Sequence, residues 1–214
     1  MIRWALAIVV ATSLTVASCA GAPRGGAAET QLTAATQAAD VAKVKALLAS
    51  GADPNTVVDV AGNPQSAWYL ALEQLRPSKP ATAEIVLAMI GAGANPRTAW
   101  GTNGGRPREG FWETFFSGHR VGGTSDESPL VLAMAHPVPA VITAIVAAGF
   151  DRRDGPRALI DAVELNEADI VHLLVEHGVD VNAQSGGRSP FGTAIAARNV
   201  VLTTYLEEHG ATER

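Results

Sequence analysis

The chain has 214 residues and a formal net charge of -5. That length holds one domain or one short repeat array with extras at its ends. It is rich in Ala, Val and Leu and poor in aromatic residues, which reads as helical. It has no Lys/Arg stripe to displace phosphate counterions, so nucleic acid is excluded as an expected partner.

The first element is a leader that has to be set aside before fold reasoning. In "MIRWALAIVVATSLTVASCAGAP", Arg3 is a short positive region and Trp4 to Val16 an apolar run. That run is shorter than the roughly 20 residues a spanning helix needs. The residues after it, Val16-Ala17-Ser18-Cys19, resemble a bacterial lipobox. The resemblance implies cleavage before Cys19, leaving residues 1–18 as signal peptide, and lipidation of that sulfur. Several acyl chains anchor strongly where one is marginal. The alternative is an ordinary secretory signal with a chance Cys. Ala20 stands where an Asp would signal inner-membrane retention, so the resemblance points to the outer membrane, facing the periplasm. Residues 19–29 are Gly-, Ala- and Pro-rich without apolar periodicity and read as a flexible tether.

From residue 30 onward the chain repeats. Aligned on the glycine that follows each apolar pair, five segments share one frame, at Gly51, Gly93, Gly149, Gly178 and Gly210. Counting back 21 positions reaches Thr30, Ser128, Arg157 and Ser189; for Gly93 the start, Ser66, lies 27 back. The starts read "TQLTAA", "SAWYLA", "SPLVLA", "RALIDA" and "SPFGTA", each closed by an Ala. This frame resembles the ankyrin repeat, which opens T-P-L-H-x-A and closes with a G-A-D-x-N turn. The best copy is "RALIDAVELNEADIVHLLVEHGVDVN", Arg157 to Asn182. The His of T-P-L-H, which helps fix the turn in that family, is absent; Thr33, Tyr69, Val131, Ile160 and Gly192 stand there.

The resemblance implies an all-α ankyrin-like solenoid of about five repeats over residues 30–214. The residues point the same way. Ile170, Leu173 and Leu174, like Val41, Val44, Leu47 and Leu48, fall at helical spacing on one stripe. A single helix pair cannot bury such a stripe, so neighbours must stack, with small Ala residues letting the short helices approach. Each unit is expected to run short helix, tight loop, longer helix, extended turn. Ser128-Pro129 and Ser189-Pro190 look like N-caps followed by Pro at the first helical position, and each glycine like a left-handed terminator. The last unit ends "GATER", without the Asp and Asn of the turn, as suits an end cap.

Between the second and third units the frame is broken. The step from Arg97 to Ser128 is 31 positions where that from Asn182 to Ser189 is 7, so 24 residues are extra. Long loops in compact domains are usually functional or disordered, and this insertion, residues 98–127, holds two of the four Trp and three of the five Phe. On a helix, Phe111, Trp112, Phe115 and Phe116 share one face within about 140° of arc. Two readings stand. The aromatic face packs onto neighbouring helices and seals a widened gap, or Trp100, Phe111, Trp112, Phe115, Phe116, His119 and Arg120 form an interface anchor. A shorter insertion, "EQLRPSKPATAE", lengthens the loop inside the second unit and puts Arg76 and Lys79 at a small basic tip; it reads as a solvated loop.

Catalysis has little support: "GTNGGR" lacks the Lys-Ser/Thr of a phosphate loop, there is no G-x-S-x-G, and the one Cys is assigned to lipid. His119 with Glu113, Asp126 and Glu127 matches no ligand spacing. The repeated Glu-His-Gly at His177 and His209 places one His before each terminating glycine, about one repeat, on the order of 10 Å, apart; it reads as a structural joint built twice. The expectation is therefore a monomeric, lipid-anchored module of a bacterial envelope that binds another protein, without catalytic residues, metal or cofactor. It would touch the membrane only through Cys19. An immunity or inhibitor protein against an envelope toxin or hydrolase is the alternative; an enzyme with its site at the insertion is the weaker one.

Overall fold

The computed structural model describes residues 26–60, 63–99 and 128–212. Among them are ten α-helices and one hairpin: α1 (Ala27–Gln37), α2 (Val41–Ala49), β1 (Val57–Val60), β2 (Asn63–Ser66), α3 (Ala67–Glu73), α4 (Pro80–Gly91), α5 (Pro129–Met134), α6 (Pro139–Ala148), α7 (Gly155–Glu164), α8 (Ala168–Glu176), α9 (Pro190–Ala196) and α10 (Val200–Glu208). The helices pair in the expected frame. Odd-numbered helices stack on one another as an inner row, α1–α3–α5–α7–α9. The even-numbered ones form an outer row, α2–α4–α6–α8, which α10 continues by setting Tyr205 against His172 of α8 at a ring separation of 4.1 Å. None of the described helices is long and apolar enough to cross a membrane.

The stack follows from register. In the inner row Leu32, Trp68, Leu130, Leu159 and Phe191 occupy one position and are buried. Three residues on, Ala35, Ala71, Ala133, Ala162 and Ala194 are buried too, and their lack of bulk lets the backbones close up. In the outer row Val44, Val86, Ile142 and Val171 share a register and are all fully buried. The predicted stripe is there: Ile170 and Leu174 are buried, with Leu173, Val41, Leu47 and Leu48 packed against the core. Every frame glycine has positive φ, between +80° for Gly178 and +98° for Gly149, the left-handed geometry that ends a helix with least strain where Cβ is missing.

Four local expectations are amended. The fold is not purely helical: a hairpin pairs Val57 with Ser66 and Val60 with Asn63 between the first two units, where a β-branched run, Val57-Val58, resists helix. Helix α1 begins at Ala27, inside the segment read as tether, because Ala27-Ala28-Glu29 favours helix and Gly26 accepts from the Thr30 amide. The short-then-long pattern holds in units 2, 3 and 5. It is inverted in unit 4, where a 3-10 turn, Arg152–Asp154, runs straight into Gly155-Pro156 and lengthens α7, and in unit 1. Ser189 Oγ accepts from the Gly192 amide as an N-cap should, whereas Ser128 holds the cap position of α5 without a cap hydrogen bond.

Candidate functional site

The lipid-attachment residue Cys19 and all seven interface candidates, Trp100, Phe111, Trp112, Phe115, Phe116, His119 and Arg120, lie outside the described residues. What is described are the two feet of the insertion. Ala99 is buried, its carbonyl accepting from Ser66 Oγ at 2.8 Å, and on the far side Ser128 and Pro129 are buried at the start of α5. Trp68 Nε1 donates to the Asn95 carbonyl at 2.9 Å. In this unit, Trp68 and Ser66 hold the turn, a task that falls to the missing His in the resembled family. Arg76, read as part of a basic tip, donates instead to the carbonyls of Glu73 and Leu75 at 2.9 and 2.6 Å. Burial raises the Glu73 carboxyl above its ordinary value against the pull of Arg76; burial and the same guanidinium lower His136.

The two Glu-His-Gly segments are one joint. His177 and His209 are the C-cap residues of α8 and α10, and each ring Nδ1 meets the carbonyl four residues back, Leu173 and Tyr205, at 2.8 Å. The Tyr205 ring lies between His172 and His209, 4.1 Å from each. Among the described residues no three His, Cys, Asp or Glu side chains gather as a metal group would require.

The turns carry the more informative geometry. After α2, Asn55 Nδ2 donates to the Gly93 carbonyl at 3.0 Å and its Oδ1 accepts from the Asn95 amide at 2.7 Å. After α8, Asn182 Nδ2 donates to the Gly210 carbonyl at 2.9 Å and its Oδ1 accepts from the Thr212 amide at 2.9 Å. The fifth turn residue thus reaches the glycine of the next turn. After α4 that residue is Arg97, and its Nε makes the same bond to the Gly149 carbonyl at 3.3 Å. After α6 it is Arg153, and the ladder breaks. Arg153 folds back on Asp151, with its Nε 3.1 Å from both oxygens and a terminal nitrogen 2.6 Å from Oδ2. These bonds, with the Arg153 amide and the nearby Arg97, hold the Asp151 carboxyl down at about 2. Beside it, burial raises Asp154.

At the break opens a notch of about 460 Å³, bounded by Arg97, Val146, Phe150, Asp151, Arg152 and His177. Its position is on the side of the outer helices, between the C-terminal ends of α6 and α8. A larger groove, about 720 Å³, runs between the helix-connecting loops of the last two units, flanked by Val200 and Val201, which are 75% and 73% exposed. Sequence reasoning missed both. For the notch the visible signal was the turn series "GADPN", "GANPR", "GFDRR", "GVDVN", in which Arg replaces Asn in the two middle turns.

Comparison with known proteins bears on the same region. Residues 154–186 match the ankyrin repeat family. Over 55 residues the chain is 42% identical to the NF-kappa-B inhibitor cactus of Drosophila yakuba and, equally, to that of Drosophila melanogaster. The alignment covers 25% of this chain and 11% of each relative. With the stacked helix pairs, these similarities support an ankyrin-repeat protein, a class whose repeats serve protein–protein interaction.

Proposed function

We propose that this chain is a non-catalytic ankyrin-repeat module that docks another protein, held at a bacterial envelope by lipid on Cys19, with residues 98–127 biasing partner choice. The observation that carries this reading is the combination of the family match over 154–186 with the two-row stack of helix pairs running through the described chain. Such a stack offers one continuous surface for a partner. Function on a repeat scaffold resides in what is grafted onto it, and the insertion is the largest departure from the frame.

The test is capture of the native partner from membranes by the full chain, identified by mass spectrometry. Alanine at Phe111, Trp112, Phe115 and Phe116 removes that partner while circular dichroism and the urea midpoint stay as in wild type. Cys19→Ala abolishes fatty-acid labelling and releases the protein from membranes. An unchanged partner set in the alanine variant overturns the role of the insertion. Absence of label in wild type overturns the anchor. A second reading, inhibition of an envelope toxin or hydrolase, draws on the similarity to proteins named as inhibitors; the captured partner would then be a hydrolase or toxin whose activity falls on addition of the chain.

A further inference from the structure

The turn ladder makes a prediction about what can bind at its break. Three of the four turn-to-turn junctions are closed by a side chain donating to the next glycine carbonyl, from Asn55, Arg97 and Asn182. At the fourth, Arg153 spends its guanidinium on Asp151 of its own turn. Two things follow. Among the described residues no turn side chain is bonded from the third turn to the Gly178 carbonyl, and the notch lies beside that junction. And the acid on the notch wall, Asp151, is neutralised, so the cations beside it dominate. Arg97 and Arg152 are both exposed and make no ion pair among the described residues, while Val146 and Phe150 supply an apolar floor. Arg97 is fixed in place by its bond to Gly149, so little side-chain entropy remains to be lost on binding.

We propose that this notch is a docking pocket for a glutamate or aspartate side chain on an acidic segment of the protein partner, flanked there by an apolar residue. The occupant is chosen by charge complementarity: a guanidinium recognises a carboxylate in forked geometry, and two line this notch. The chain as a whole carries a net charge of -5, so an acidic segment is repelled elsewhere and accepted here. That contrast sets register more than affinity. This inference rests on the interaction-module reading and specifies the chemistry of the partner.

The experiment is an NMR titration of full-length ¹⁵N-labelled protein in zwitterionic detergent. The probe is a capped octapeptide of alternating glutamate and leucine; its glutamine counterpart and inorganic phosphate are the controls. The acidic peptide shifts the amides of Gly149, Phe150 and Arg152 and the Arg97 Nε–H saturably. The effect weakens when salt rises from about 50 to about 300 mM, as screening of exposed charges demands. The glutamine peptide binds at least about tenfold more weakly.

Arg152→Gln, on an exposed side chain, weakens binding about fivefold or more with an unchanged melting temperature. Arg153→Asn is the sharper variant. It restores the turn residue found at Asn55 and Asn182, lets the ladder close onto Gly178, and frees the Asp151 carboxylate into the notch. Binding is lost although Arg97 and Arg152 remain. Equal binding of the glutamine peptide, or full binding by both variants, overturns the proposal. Phosphate saturating the same resonances at about a tenfold lower concentration than the acidic peptide overturns the carboxylate assignment. If the partner captured by wild type is retained by both variants, the notch is wrong and the module stands; if wild type captures none, the module reading itself falls.

Discussion

At the scale of single residues, one substitution in the turn decides whether two successive turns are tied by a side-chain hydrogen bond. Asn at the fifth turn position has a short amide that meets the next glycine in both turns that carry it, and Asn55 also donates to Asp53 of its own turn at 2.9 Å. Arg has a longer reach and a charge, so it goes where a partner is. Arg97 finds the Gly149 carbonyl; Arg153 finds Asp151 two residues away and stays. The pairing gives stability a defined pH dependence. The folded Asp151 carboxyl lies at about 2, below its ordinary 3.8, so its contribution is fully present above about pH 4 and is lost as pH falls towards 2. Arg153 is largely exposed, which screens the pair, and the effect is about 1 kcal/mol or less. Asp151→Asn removes it. Urea midpoints at pH 7, 4, 3 and 2 will show wild type ahead of the variant at neutral pH and the gap closing by the lowest pH. Taking the difference cancels Glu73, whose raised value acts with the opposite sign; Asp154 is raised partly by the Asp151 charge itself, so that part stays in the difference. A gap that stays constant across that range would show that the ion pair contributes nothing.

At the scale of elements, the apolar seams of the array turn polar in the fifth unit. One outer seam runs Val44, Val86, Ile142, Val171, then Thr203 in α10; a second runs Leu48, Ile90, Val146, Val175, then Glu207. Polar side chains appear at the register where a sixth unit would have packed, which is what a terminal unit needs to remain soluble. The inner row is less complete. Thr36, Leu72, Met134 and Val163 are at most 2% exposed, and Ile195, next in that register, is 41% exposed. The same replacement should therefore cost very different amounts along one seam. Val171→Asn places an amide at a fully buried position of α8 and is expected to cost about 2 kcal/mol. Thr203→Asn sits at the open end and is expected to cost under about 1 kcal/mol, chiefly the bond from Thr203 Oγ1 to the Asn199 carbonyl. Chemical denaturation of the two variants decides it; equal losses would mean that α10 is not the end of the seam.

At the scale of the whole molecule, the frame was legible before any coordinates because five glycines and five alanines recur at fixed offsets, and each has one physical task that few residues can perform. The hairpin was not, since four residues of strand have too short a pattern to stand against a helical period, and its partner strand contains a proline. The notch was not, because two arginines occupy the same turn position, and nothing local says that one reaches forward and the other back. The aromatic site expected at 98–127 falls outside the described residues, so its place in the architecture remains a proposal. Stability in such an array is the sum of weak units and strong joints, and this predicts an asymmetric response to shortening. A chain stopped after Gln184 loses α9 and α10, takes from α7 the helix that packs on it, α9, and deprives Asn182 of its partners at Gly210 and Thr212. The new last unit has an apolar end with no Thr or Glu to cap it. Its urea midpoint should fall by far more than one-fifth, and sedimentation should show association that Val171→Thr with Val175→Glu, borrowing the residues of the natural end, reverses. A truncated chain that stays monomeric with its midpoint intact would mean that the fifth unit is an appendage, and that the seam is closed by α8.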